Sequence, residues 1–330
     1  MIFNQLDKNW IYRYREYNPL TLKELIYQEI YFSTKEELND PFDYAHNLVI
    51  PKNSDFIHEY FIQSAIEQFG IKANIQKKIR KEIVNTIAND DIYTDLIELS
   101  LDENYLEEIL QRNDISNTKK IISSIYETYH NLKPKNLRSI SFSKSCENPV
   151  LWTHYAKAHT GFCMIFKPTN KHLFLKKIYE NKFEKYKCEF VKYNLDINVD
   201  LSLMFNKNKK FDWRNFYRDY YPQLNRKALL TKHPSHSKES EVRITSNYNI
   251  ATFGSSPSEE KQLPKHEQIY YFDPKQFVGV VLGHKMKDEH KYEITSIISK
   301  SKAIKNYKIF EILNFVNGTI AILNGGGSKI

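Results

Sequence analysis

Glycine is scarce in this chain, with 9 residues in 330. Neither a G-x-G-x-x-G nor a G-x-x-x-x-G-K string occurs, so glycine-rich phosphate loops are excluded. Cysteine is scarce too: Cys146, Cys163 and Cys188 are far apart and odd in number. That argues against a disulfide framework or a zinc site and for a reducing compartment. Long apolar runs are missing; a stretch such as Val278-Gly279-Val280-Val281-Leu282 is far too short to span a bilayer. Met1 to Lys8 lacks the basic-then-apolar pattern of a secretory signal. The expectation is a soluble, cytoplasmic protein with no membrane partner.

What is present is a globular composition, 41% hydrophobic and 14% aromatic, with 23 Tyr and 20 Phe, so the core must be largely aromatic. The net charge of +8 is unevenly spread. Residues 170–232 hold 15 Lys/Arg against 7 Asp/Glu, while residues 54–133 hold 9 against 14. The basic stretch points to an anionic partner such as nucleic acid, or to a plain lysine-rich solvated surface.

The patterning divides the chain. Residues 1–53 and 134–320 read as a mixed core, 54–133 as a helical insertion, and 321–330 as a flexible tail. Trp10 to Tyr14 alternates as a strand, and a short helix follows with Thr21 as its cap and Glu24 completing the box. Glu29 to Ser33 is a second strand, and Thr34 to Asp43 is a polar turn. Phe56, Tyr60, Phe61, Ala65, Ile66 and Phe69 recur at helical spacing. Leu137 to Ser143 alternates with Ser139, Ser141 and Ser143 on one face. Pro149 to Lys157 is a short helix and Gly161 to Phe166 a strand. Residues 170–232 read as irregular. Glu239 to Ser246, Ile269 to Phe272, Val278 to Leu282 and Ile294 to Ile298 are further strands.

Glu239 and Glu241 sit two apart in Glu239-Ser240-Glu241-Val242-Arg243, at what reads as the start of a strand. Side chains two apart in a strand share a face, so their Cβ atoms lie roughly 7 Å apart. Two adjacent carboxylates with Arg243 are costly unless they hold a ligand, a cation or a proton. They are either a solvated strand edge or candidates for acid/base chemistry. Asp40 and Asp43 flank Pro41-Phe42, where a capped turn is the simple reading and gripping a substrate the functional one. Trp152 and Tyr155 are three apart on a helix face, which suits the core, or a wall for a flat ligand. Phe211 to Tyr221 interleaves aromatics with Arg, as a single-strand-binding surface or a packed amphipathic helix would. No histidine pair has metal-ligand spacing, so no metal is expected.

Five strings then appear in order: Tyr12-Arg13-Tyr14-Arg15, Asn39-Asp40-Pro41-Phe42-Asp43, Ser141-Phe142-Ser143, Trp152-Thr153-His154-Tyr155-Ala156, and Glu239-x-Glu241-x-Arg243. Together they resemble a bacterial family catalogued as a domain of unknown function. More distantly the layout resembles the ADP-ribosyltransferase fold of the Arg-Ser-Glu type. The resemblance implies an α+β fold, with a split antiparallel sheet core interrupted by the helical insertion. It implies NAD as substrate, with Arg13 or Arg15 as the pyrophosphate fork beside Tyr14, and Ser141 and Ser143 on the nicotinamide ribose. Glu241 would stabilise an oxocarbenium-like transition state and Glu239 would position or deprotonate the acceptor. Asp40, Asp43, Trp152, Tyr155 and Arg243 would serve substrate or structure.

The leading expectation is therefore an NAD-consuming ADP-ribosyltransferase-like enzyme, a toxin or anti-phage defence effector modifying a nucleic acid or protein. Its partners would be a nucleic-acid acceptor on the basic stretch 170–232 and an antitoxin or defence-system protein. The alternatives are an NAD glycohydrolase, a non-catalytic nucleic-acid-binding module, and a Mg²⁺-dependent nuclease using Asp40, Asp43, Glu239 and Glu241.

Overall fold

The computed structural model describes residues 7–38, 40, 43–44, 47–49, 137–194, 198–200, 221–247, 265–316 and 319–325. The expected helical insertion at 54–133 and the aromatic-basic run at 211–220 lie outside the described residues. The first part of the chain gives β1 (Ile11–Arg15), α1 (Pro19–Ile26), β2 (Glu29–Tyr31), β3 (Ser33–Thr34) and β4 (Asn47–Val49). Then come β5 (Leu137–Ser143), α2 (Pro149–His154), β6 (Phe162–Phe166), β7 (His172–Lys176), β8 (Glu184–Phe190), β9 (Lys192–Tyr193) and β10 (Asn198–Asp200). The last part gives α3 (Tyr221–Leu229), β11 (Thr231–Lys232), β12 (Glu241–Asn247), β13 (Ile269–Phe272), β14 (Phe277–Leu282), α4 (Asp288–Lys300), β15 (Lys308–Val316) and β16 (Thr319–Gly325). The architecture is α+β. No helix among the described residues is long and apolar enough to cross a membrane.

One large sheet runs β16-β15-β14-β6-β1-β5-β12-β8-β7-β13-β2, with β3 paired to β5 beside that path. All its pairings are antiparallel except β14 with β15. β3 meets β5 through Ser33↔Ser139 and Thr34↔Arg138. The three strands singled out by sequence, β1, β5 and β12, are thus neighbours at the centre. Apolar side chains cover both faces there, because alternate residues of each strand point to opposite sides. Ile11, Phe142, Val242 and Ile244 join one buried cluster with Leu22 and Leu25 of α1 and Ile294 and Ile298 of α4. Tyr12, Tyr14, Trp152, Cys163 and Val281 join the other.

Several local readings are corrected. Asn18, not Thr21, caps α1: its side chain accepts from Thr21 N at 2.9 Å, and Pro19 takes the first helical position. Glu24 is thereby free of the cap and turns inward. Ile294 to Ile298 is not a strand but part of α4. Ile294 and Ile298 are four apart and both buried, and Asp288 and Glu289 fall in its first turn. The stretch 170–232 is not irregular throughout; it supplies β7, β8, β9 and α3. The tail does not begin at 321, since the aliphatic run Thr319–Leu323 continues as β16, paired antiparallel with β15.

After α2 the chain reverses through three successive left-handed residues, Lys157, Ala158 and His159 (φ 47°, 52° and 69°). Gly161 then slips beneath β1: a Cβ there would lie 2.1 Å from the Arg15 carbonyl oxygen. This close approach sets β6 against β1.

Candidate functional site

β12 begins at Glu241, just after a 3-10 turn over Pro234–Glu239. Ser240 between them is left-handed, with φ 45°. The alternation reading puts Glu239 and Glu241 on one strand; in the structure Glu239 ends the turn instead. The carboxylates still meet, through Lys232 of β11. The Lys232 Nζ lies 2.9 Å from Glu239 Oε2, 3.4 Å from Glu241 Oε2 and 3.6 Å from Asp43 Oδ2.

Arg243 completes the cluster and is 1% exposed. Nε donates to Glu241 Oε1 at 2.7 Å, and Nη2 to Glu241 Oε2 at 3.0 Å. Nη1 and Nη2 donate to Asp43 Oδ1 and Oδ2 at 2.8 and 2.5 Å. Nη1 also donates to the Leu229 carbonyl at 2.8 Å, at the end of α3. All five N–H groups of the guanidinium are therefore used. The Tyr44 ring lies 5.1 Å from its Cζ, a cation–π contact, and Tyr44 shares a short hydroxyl contact with Ser139.

Burial alone pushes the Glu241 carboxyl up, but Arg243 and then Lys232 outweigh it and hold it below its ordinary 4.5. Burial likewise favours neutral Lys232, and Glu241 followed by Asp43 more than reverses this, raising it above the usual lysine range. The charges hold one another ionised. Toward the surface, His236 bridges Asp40 and Glu239, with Nε2 3.3 Å from Asp40 Oδ2 and Nδ1 2.9 Å from Glu239 Oε1. Tyr155, 40% exposed, stands beside these carboxylates, and its phenol is pushed up to about 12 by burial and then by Glu239.

The proposed Arg-Ser-Glu set is brought together only in part. Ser141 and Ser143 are the cross-strand partners of Arg243 and Glu241, so these four side chains share one face of the sheet. Ser143 Oγ donates to the Glu239 carbonyl at 2.7 Å. Arg13 and Arg15, however, face the other side of the sheet. Tyr12 is the cross-strand partner of Ser143, and partners share a face, so the neighbours Arg13 and Phe142 share the opposite one. Arg13 Cζ indeed lies 5.8 Å from the Phe142 ring centre. Both arginines are occupied by Glu24, with Arg13 Nε at 3.3 Å and Arg15 Nη2 at 2.8 Å. Tyr14 and Trp152 are core, edge to face at 5.2 Å.

A second feature lies across the same strands. A groove of about 1180 Å³ opens where β12 begins, with Val242 and Thr231 in its lining. The intervening side chains of Lys232, Glu241 and Arg243 go to the ionic cluster, which therefore backs the groove. The groove's floor is apolar, with Ile11, Leu230 and Phe190 beside Val242. One wall carries Lys8 and Lys144, and the turn between β6 and β7 carries Lys167 and Lys171. Lys187 of β8, Lys192 of β9 and Arg226 and Lys227 of α3 also line it. Among the described residues eight basic side chains and one carboxylate line the groove; the carboxylate, Glu189, pairs with Lys187 at 3.3 Å and closely with Arg226.

Comparison with known proteins adds one match. A family model described as a protein of unknown function (DUF2971) matches residues 151–244. The matched stretch runs from Leu151 beside Trp152 to Ile244 in β12. It contains Lys232, Glu239, Glu241 and Arg243, and most of the groove's walls, but not β1 or β5. No curated protein and no solved structure matches the chain.

Sequence reasoning missed Lys232, His236 and Tyr44 in the cluster and the whole shape of the groove. The signal for Lys232 was its seven-residue distance from Glu239, hidden inside a stretch read as irregular. The groove left no local signal, because its walls come from five separate segments.

Proposed function

We propose that this protein binds a nucleic acid in the basic groove and that the ionic cluster behind it holds the groove's walls in place. The observation that carries this reading is that, among the described residues, eight basic side chains and one carboxylate line the groove together with Ile11, Leu230, Phe190 and Val242. The volume of about 1180 Å³ exceeds the roughly 300–1,000 Å³ of sites for drug-sized ligands, which favours an extended polyanion. Each phosphate neutralised by a lysine releases counterions, so binding weakens as salt rises, with a log–log slope of about −0.7 per contact for a single strand. Reversing charge at the exposed Lys171 or Lys192 is expected to weaken binding and to flatten that slope by about 0.7 each. The measurement is fluorescence anisotropy of a labelled oligonucleotide across a salt series. A salt-independent signal, or wild-type binding by Lys171→Glu and Lys192→Glu, would rule the reading out.

A second reading keeps the NAD-consuming chemistry of an ADP-ribosyltransferase-like enzyme, in toxin or defence settings. What supports it is the adjacency of β1, β5 and β12 and the face that Ser141 and Ser143 share with Glu241. It requires a pyrophosphate fork other than Arg13 and Arg15, and a Glu241 freed from the pairs it makes with Arg243 and Lys232. Its test is nicotinamide release from NAD: release abolished by Glu241→Gln at unchanged fold supports it, and no release removes it. The nuclease reading asks Asp40, Asp43, Glu239 and Glu241 to hold Mg²⁺, whereas the last three surround the Lys232 ammonium and Asp40 meets His236.

A further inference from the structure

One groove residue is unsuited to a surface that meets phosphates alone. Phe190 ends β8 with 64% of its surface exposed. It is the cross-strand partner of Val242, so the two share a face and line the groove together with Cys188, two residues earlier. Lys187 and Lys192 bracket the ring along the chain, and Lys144 and Lys171 contribute to the same lining. A large ring left in water amid cations gains nothing from a ligand made only of phosphates. It gains much from a ligand that offers a flat apolar face and a nearby negative charge.

We infer that the groove's occupant is a single-stranded nucleic acid, with a base stacked on Phe190 and its phosphates among the surrounding lysines; this rests on the groove reading above. A duplex turns its base faces inward against one another, and inorganic polyphosphate has none. A single strand presents both a π-face and a charge at each nucleotide, the combination that stacking platforms in positive grooves select. Because every base has a face to stack, the recognition is expected to tolerate sequence. The uncommitted ring edge and the apolar floor of Ile11, Leu230 and Val242 would shield the stacked base from water.

The test is anisotropy with the full chain and labelled single strands of DNA or RNA about 12 nucleotides long, within the span that such grooves contact. A matched duplex and inorganic polyphosphate are the comparison ligands. Single strands are expected to bind more tightly than the duplex. Phe190→Ala is expected to weaken single-strand binding roughly 5- to 150-fold, to leave polyphosphate binding within about twofold, and to be rescued by Phe190→Tyr. Since Phe190 lies outside the core, its thermal midpoint should stay at the wild-type value. Equal binding of duplex and single strand, or single-strand binding indifferent to Phe190→Ala, overturns this inference while the charge-reversal result still stands for the groove. Failure of every polyanion to bind, or indifference to Lys171→Glu and Lys192→Glu, overturns both.

Discussion

The Arg243 guanidinium has no N–H left for a substrate, and that decides its role. With Asp43 and Glu241 it forms a buried pair network whose removal from one side leaves uncompensated charge. Arg243→Ala is expected to cost about 3–5 kcal/mol, measured by urea unfolding at neutral pH. Adding Asp43→Asn should recover part of the loss, since it removes one stranded charge; a double variant no better than the single would contradict the account. The pH dependence follows from Glu241. Its folded carboxyl titrates below the ordinary 4.5, so its contribution is complete above that value. The contribution is lost as the pH falls from there through the folded value. As the pH falls below 4.5, Glu241→Gln should therefore lose less stability than wild type. Part of this was legible in the residues alone. The two-residue alternation puts Ser139, Ser141 and Ser143 on one face of β5, and the pairings Ser141↔Arg243 and Ser143↔Glu241 bring that face to β12. Alternation could not settle whether Arg13 shares that face, because that depends on register between strands, and Tyr12↔Ser143 sends Arg13 the other way.

At the scale of elements, the turn between α2 and β6 concentrates backbone strain in three consecutive left-handed residues. It is tolerated because its amides are used: Ala158 N donates to Thr153 O at 2.9 Å and His159 N to Trp152 O at 3.2 Å. Gly161 is the position where this arrangement admits no side chain. Gly161→Ala puts a methyl against the Arg15 carbonyl and should cost about 1–3 kcal/mol or more, read as a lowered urea midpoint. The central strands were readable from alternation, and β5 matches its expected bounds, Leu137–Ser143. Ile294 to Ile298 misled because a five-residue apolar pattern fits a strand or a buried helix face equally well. Only the length of α4, from Asp288 to Lys300, separates the two. The cap of α1 was misplaced by three residues for a related reason, since Asn18 and Thr21 cap each other and either can be taken for the first.

At the scale of the whole molecule, the groove and the ionic cluster share β11 and β12 but present opposite sides of them. Their variants should therefore separate. Lys192→Glu is expected to weaken nucleic-acid binding at an unchanged thermal midpoint, whereas Arg243→Ala lowers the midpoint first and binding with it. Equal loss of midpoint in both would show that the groove lysine is structural. The charge excess of residues 170–232 was visible in composition, yet Lys8, Lys144 and Lys167 reach the groove from outside that stretch. Composition counts charges; only the fold gathers them.

The pairing of β3 with β5 carries one more consequence. Thr34 and Arg138 are ladder partners, so the chain leaves the sheet and returns to it at adjacent points. Between these partners the chain is tied down again at Asp43 and Tyr44, which meet Arg243 and Ser139, and at β4, which pairs with β10. The entropy of closing a flexible loop grows only with the logarithm of its length, about 0.6 kcal/mol for each doubling. A change in the number of residues between fixed points of the chain therefore adds only a small closure cost for the strands on either side. Replacing residues 54–133 with a short Gly/Ser linker is expected to leave a cooperative unfolding transition. That freedom makes the interval a place where related chains can diverge while the same central ladder is kept.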